Sequence, residues 1–136
     1  MNKSTGYVLA FDYGLRHIGV ALGQTVTRTA TALTTLAARN GKPDWAVVSK
    51  LVEDWRPVVA LVGLPLNMDG SESEMSERAR QFAERLRVRT GVAVAMVDER
   101  LTSYAARGAG PERAHAEAAV LIAESWLRDP GAAGGG

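Results

Sequence analysis

Acidic side chains stand at the ends of two separate apolar runs in this chain. Val8-Leu9-Ala10-Phe11 delivers Asp12, and Val92 to Val97 delivers Asp98-Glu99. Each run reads as a buried strand, and in open α/β sheets ligands bind at the carboxyl ends of the strands. If the two strands are neighbours, their carboxylates converge. Converging carboxylates repel, and a hard divalent cation between them removes the repulsion. Mg²⁺ is held in this way by one or two carboxylates, with water and substrate phosphate completing its octahedron. Two such ions about 4 Å apart activate a water and stabilise the leaving oxygen in phosphodiester hydrolysis. A plainer reading stays open beside this one. Asp is a common turn residue, and Asp98 and Glu99 could be loop residues paired with Arg100 or Arg16.

The elements that must position these groups follow from the apolar pattern. Tyr7 to Asp12 is a strand; Gly14 makes a tight turn, and Ile18, Val20 and Leu22 alternate with small residues to give a second strand. Val26 to Leu33 is rich in Thr and Ala and predicts a third, edge-like strand after a turn at Gln24-Thr25. Arg39-Asn40-Gly41-Lys42-Pro43 breaks the pattern. Asp44 can cap a helix in which Trp45, Val48, Leu51, Val52 and Trp55 recur at helical spacing, ending before Pro57. Val58 to Gly63 reads as a buried parallel strand and opens into a loop through Gly70. Ser71 with Glu74 predicts a capping box for a helix whose stripe is Met75, Ala79, Phe82, Ala83 and Leu86, stopped by Gly91. Val92 to Val97 is the last strand, and a final helix runs from about Glu112 to Leu127. The expectation is one α/β domain over residues 1–136: a five-stranded mixed sheet, three antiparallel strands then βαβ units, with helices on both faces and flexible tails at 1–6 and 130–136.

The bulk composition narrows the function. The chain has 136 residues, enough for a real core, and no cysteine, which excludes disulfides and thiolate metal sites. No apolar run approaches the roughly 20 residues of a membrane span, and Met1 to Gly6 has no secretory character, so the expected location is the cytoplasm. Net charge is +1, which does not by itself imply nucleic acid. Only Lys3, Lys42 and Lys50 are lysine and the rest of the 16 basic residues are arginine, whose planar fork suits phosphate. A GC-rich genome gives the same bias. Arg78, Arg80, Arg85, Arg87 and Arg89 could line a phosphate-tracking face, or an ordinary solvated face paired with Glu74, Glu77 and Glu84.

Three ordered motifs carry a resemblance. Val8-Leu9-Ala10-Phe11-Asp12-Tyr13-Gly14 with Ile18-Gly19-Val20-Ala21, then Val62 to Gly70, then Asp98-Glu99-Arg100-Leu101-Thr102-Ser103, resemble the YqgF/RuvX family over roughly residues 7 to 128. These are small bacterial proteins described as pre-16S rRNA nucleases and as Holliday-junction-resolvase-like. The resemblance implies an RNase H-like fold, a divalent metal (Mg²⁺ or Mn²⁺), and trimming of the 5′ end of pre-16S rRNA in the cytoplasm, with the ribosome or its small-subunit precursor as partner. It implies that Asp12 and Glu99 are metal-binding acids, with Asp98 a helper beside Glu99. Arg100 would contact phosphate or lock the two carboxylates in place. Asn67 and Gly70 lie in a loop whose backbone amides could approach a phosphate, and Arg16 is a further candidate for substrate contact.

One position departs from the family pattern. Where the family carries a third acid, shortly before an Ala-rich stretch, this chain has His115 ahead of Ala118-Ala119-Val120-Leu121-Ile122. His115 shares a helical face with Ala118, Ala119 and Ile122. A neutral imidazole ligand favours Mn²⁺ over Mg²⁺. Glu112, one turn earlier, could substitute, whereas Glu117 is rotated about 200° away. The expected activity is a two-metal-ion nuclease acting on RNA. The alternatives are a catalytically weak RNA- or ribosome-binding module and a resolvase acting on DNA junctions, which would need a dimer.

Overall fold

The structure is a computed structural model and describes residues 6–101 and 111–129. Its centre is β1 (Tyr7–Asp12), in which Val8, Leu9, Ala10 and Phe11 are all fully buried. A strand buried on both faces needs a layer on each side. Leu9 and Phe11 belong to one core with Phe82, Leu86 and Val48. Val8 and Ala10 belong to the other, with Ala119, Ile122, Ala123 and Leu127. By this alternation Asp12, two residues beyond Ala10, faces the second layer.

β1 pairs antiparallel with β2 (His17–Gln24) and parallel with β5 (Val59–Leu64), which pairs parallel with β6 (Val94–Asp98). β3 (Thr29–Arg39) lies outside β2, and β4 (Lys42–Pro43) outside β3, giving the order β4-β3-β2-β1-β5-β6. Helices α1 (Trp45–Trp55) and α2 (Glu74–Thr90) cover one face, and α3 (Pro111–Arg128) covers the other. The expected α/β architecture stands, with three antiparallel strands followed by parallel βαβ units.

The departures are local. The sheet has six strands rather than five, because Asn40 (φ 51°) and Gly41 (φ 81°) turn the chain so that Lys42 and Pro43 pair with Arg39 and Ala38. Two successive positive φ values are what a tight hairpin turn demands. β3 starts at Thr29, not Val26, because the turn before it spans four residues and closes with Arg28 at φ 58°, its amide on the Gln24 carbonyl. It then runs on to Arg39, with a register shift between Val20 and Ala21 absorbing its length. The cap of α2 is Ser73, not Ser71. Ser73 Oγ accepts from the Ser76 amide, and Ser76 Oγ accepts from the Ser73 amide and itself donates to the Pro65 carbonyl. A serine at the third helical position thus does the work expected of Glu74, because it also anchors the preceding loop. α1 begins and ends as expected, with Asp44 accepting from the Ala46 amide and Arg56 in the left-handed conformation (φ 44°) before Pro57.

Candidate active site

β1, β5 and β6 run in one direction, so their carboxyl ends share one edge of the molecule. β1 and β6 are not neighbours, however; β5 lies between them. The acids nonetheless meet. Val97 packs on the α3 face, and a 3₁₀ turn over Glu99–Leu101 then directs the Glu99 side chain to that face, beside Ile122, where Asp12 also lies. Its side chain crosses β5 at Gly63. A Cβ at Gly63 would lie 2.9 Å from Glu99 Oε1 and 3.0 Å from its Cδ, and 2.6 Å from Ile122 Cδ1. The absent side chain is therefore the passage that lets Glu99 reach Asp12, to which it is hydrogen-bonded.

Both carboxyls are mostly buried, and burial raises the pKa of each. Glu99 is pushed up to about 8, first by burial, then by the nearby Asp12 charge and by its hydrogen bond to Asp12, with a smaller push from Asp98. That same hydrogen bond opposes the rise at Asp12. The Glu99 carboxyl therefore tends to keep its proton at neutral pH, and burial pushes Asp12 in the same direction.

Asp98 points the other way. Its carboxylate takes the Arg100 guanidinium through Nε at 3.2 Å to each oxygen and Nη2 at 2.8 Å, and accepts the Arg100 amide at 2.9 Å. The guanidinium holds it below the ordinary carboxylate range. Arg100 also reaches the Met68 carbonyl at 3.4 Å and lies over Gly70, where a Cβ would meet Nη1 at 3.3 Å. Asp98 is thus committed to a clamp between the end of β6 and the 65–72 loop, and Glu99 alone faces Asp12.

α3 starts against this pair. Gly19, opposite Asp12 in the β1–β2 ladder, has no side chain because the His115 carbonyl occupies its place: a Cβ there would lie 1.9 Å from that oxygen. His115 Nδ1 stands 3.7 Å from Asp12 Oδ2, with the imidazole 34% exposed. His17, for which the sequence offers no role, stacks on His115 with ring centroids 5.2 Å apart and 24° between planes. Nothing in sequence spacing announces that contact; it needs the first turn of α3 laid across the start of β2. Among the described residues no three acid or imidazole groups form a ready-made metal cage. Two buried carboxylates whose charges repel each other still fit a hard cation, which needs only one or two of them. The Glu112 side chain and the segment 102–110 lie outside the described residues, as do residues 1–5 and 130–136.

The remaining candidates stand apart from the pair. Asn67 and Gly70 lie in the loop under Arg100, but their amides are used within it: Asn67 N donates to the Ser71 carbonyl at 2.9 Å and Gly70 N to the Asn67 carbonyl at 2.8 Å. Those two amides shape the loop instead of facing a ligand. Arg16 is exposed in the β1–β2 turn, and its carbonyl accepts the Ala38 amide.

Residues 6–129 match the family described as RuvX, Holliday junction resolvase. The chain belongs to the RuvX family. Its relatives include a protein of Sodalis glossinidius (strain morsitans), 48% identical over 134 residues, covering 91% of this chain and 95% of the relative. A protein of Yersinia enterocolitica is 50% identical over 130 residues, covering 88% and 93%. Both carry the name "Putative pre-16S rRNA nuclease". Among solved structures, Thermus thermophilus RuvC in complex with a Holliday junction substrate superposes with a TM-score of 0.61 at 17% identity, covering 94% of this chain and 98% of that one. At that identity the likeness shows a shared RNase H-like fold. For a RuvX protein, the Asp12–Glu99 pair falls where ligands bind in α/β sheets, at the carboxyl ends of the parallel strands.

Proposed function

We propose that this RuvX protein is a metal-dependent nuclease that hydrolyses phosphodiester bonds of RNA, with the 5′ end of a 16S rRNA precursor as its substrate. The observation that carries the reading is the buried Asp12–Glu99 pair joined across Gly63. The names of the relatives supply the substrate. Asp12 and Glu99 would hold Mg²⁺ or Mn²⁺, and the 3.7 Å between His115 Nδ1 and Asp12 Oδ2 supports His115 as the third donor of a two-metal site. The bound metal would supply a water activated at neutral pH and charge neutralisation at the leaving oxygen. The chain's own groups do the rest. Glu99 would give up its proton to make room for a cation, and Ile122 of α3 packs beside it at Gly63. The Asp98–Arg100 clamp fixes the backbone from which Glu99 projects. Such an enzyme acts in the cytoplasm, on the small-subunit precursor.

The test is cleavage of a 5′-extended 16S precursor fragment in Mg²⁺ and in Mn²⁺, with a four-way DNA junction in parallel. Asp12→Asn should lower cleavage by more than the roughly 10–100-fold typical of a supporting residue, while keeping the fold. Undiminished cleavage by that variant would remove the metal-pair reading. Binding of the RNA without hydrolysis in either metal would make the chain a binding module, and hydrolysis of the junction alone would make it a DNA resolvase.

A further inference from the structure

The five arginines of α2 are not equivalent. Arg80 is bidentate with Glu72, through Nε at 2.9 Å and Nη2 at 2.7 Å, and Arg87 is paired with Glu84. Both belong to the flank facing the open edge of β6, where Arg80, Glu84 and Arg87 line a hollow with Val94 and Met96. On the other flank the positive charge is left available. Arg85 makes no ion pair among the described residues, and Arg78 leans 3.5 Å from a Glu74 whose side chain is 82% exposed, a contact screened by water. Across from them stands Lys42, exposed on β4 and also without an ion pair among the described residues. Together Lys42, Arg78, Gln81 and Arg85 surround a hollow of about 100 Å³ whose walls include the rings of Trp45 and Phe82. These rings are stacked, with centroids 5.5 Å apart, and Arg89 lies over Trp45 at 5.0 Å.

We infer that this hollow between β4 and α2 is a second contact for the phosphate backbone of the RNA, on the face of the sheet opposite the Asp12–Glu99 pair. The inference deepens the nuclease reading and rests on it for the identity of the partner. With Phe82 buried and Trp45 held between Phe82 and Arg89, the rings form the rigid floor of the hollow, and the cations around its rim present donors suited to phosphate oxygens. Position supports it too. Tyr13, next in sequence to Asp12, turns to the opposite layer: its ring lies 5.2 Å from Phe82, and its hydroxyl fills the space beside Gly41. The β1–β2 turn that carries Arg16 is tied to the β3–β4 turn by Gly41 N on the Leu15 carbonyl and Ala38 N on the Arg16 carbonyl, each at 2.8 Å. A strand leaving the carboxylate pair can therefore pass over one braced rim, by Arg16, and enter the hollow.

The test is fluorescence anisotropy of a labelled single-stranded RNA of about 20 nucleotides, without metal, between about 50 and 200 mM salt. Lys42→Glu/Arg85→Glu should weaken binding by about tenfold or more at the lower salt and reduce the slope of log Kd against log salt by about 1–2. Arg80→Glu/Arg87→Glu reverses the same amount of charge on the neutralised flank and should change binding by less than about twofold. Equal losses in both double variants would show a bulk charge effect and overturn the inference. So would unchanged RNA binding in the first, including the case where it loses affinity for a polyglutamate peptide instead. Should the charge reversal lower the melting temperature, Lys42→Gln/Arg85→Gln answers the same question. Asp12→Asn, assayed for binding and cleavage together, separates the two readings: cleavage by that variant would sink the nuclease reading and leave the anisotropy comparison to decide the hollow.

Discussion

Glu99 is the residue on which the candidate chemistry turns, and its environment works against its own charge. Buried next to Asp12, it is held protonated up to about pH 8. Glu99→Gln keeps the shape and a donor toward Asp12 but removes the charge. At about pH 8 the variant should be more stable than wild type by about 1–3 kcal/mol in urea unfolding, since a neutral group escapes the desolvation and repulsion. It should also lose metal-dependent cleavage. A Gln variant less stable than wild type at that pH would mean the pair is not strained. Choosing between Asp98 and Glu99 was beyond the sequence alone, because adjacent acids at a strand end differ only in the face they take. The 3₁₀ turn that begins at Glu99 sends its side chain to the α3 side, by Gly63 and Ile122, while Asp98 is taken by Arg100. His115, 3.7 Å from Asp12, is the group whose exchange tunes the metal. His115→Asp should move the preference from Mn²⁺ toward Mg²⁺ in side-by-side cleavage assays. An unchanged metal preference would show that the imidazole stands outside the ligand set.

At the scale of elements, the site exists because two strands lack side chains where helix and acid must pass. Gly63→Ala places a methyl 2.9 Å from Glu99 Oε1 and 2.6 Å from Ile122 Cδ1. Both neighbours are side-chain ends, so the fold can give way, at a cost of about 1–3 kcal/mol. The shift should carry Glu99 off Asp12 and lower cleavage well beyond what the stability loss explains; a variant that is destabilised yet fully active would detach the Gly63 passage from function. Both ends of the site's strands were readable in the sequence, since Asp12 and Asp98-Glu99 close apolar runs with no polar residue inside. The helices were readable too, from the stripe Ala79, Phe82, Ala83 and Leu86 and from the Asp44 cap. What escaped was whatever depends on a partner distant in sequence. Asn40-Gly41 is a strong hairpin dipeptide, yet the charged and proline residues beside it hid the short β4. Ser73 took the cap because Ser76 could also hold the Pro65 carbonyl. The roles of Gly19, Gly63 and His17 appear only once α3 and β5 are laid in place.

For the molecule as a whole, the carboxylate pair couples global stability to pH and to metal, and the sign follows from the shift. The Glu99 carboxyl, ordinarily titrating near 4.5, keeps its proton to about 8 in the folded chain. Between those values the unfolded chain has released a proton that the folded chain still binds, so stability falls as pH rises through that window and levels off above it. Asp12, also raised by burial, adds in the same direction. A divalent cation at the pair displaces the proton and binds only the folded state, so it should stabilise more at about pH 8 than at about pH 5. At a metal concentration about 100-fold above Kd the gain is about 2.7 kcal/mol. For a domain of this size that is a rise of about 8–15 °C in melting temperature. Melting curves with and without Mn²⁺ at the two pH values measure this directly, and Glu99→Gln should flatten the metal-free pH dependence and remove most of the metal increment. A metal increment that is equal at both pH values, or that survives in Glu99→Gln, would place the cation somewhere other than between Asp12 and Glu99, because only a site that competes with the Glu99 proton can strengthen as that proton weakens.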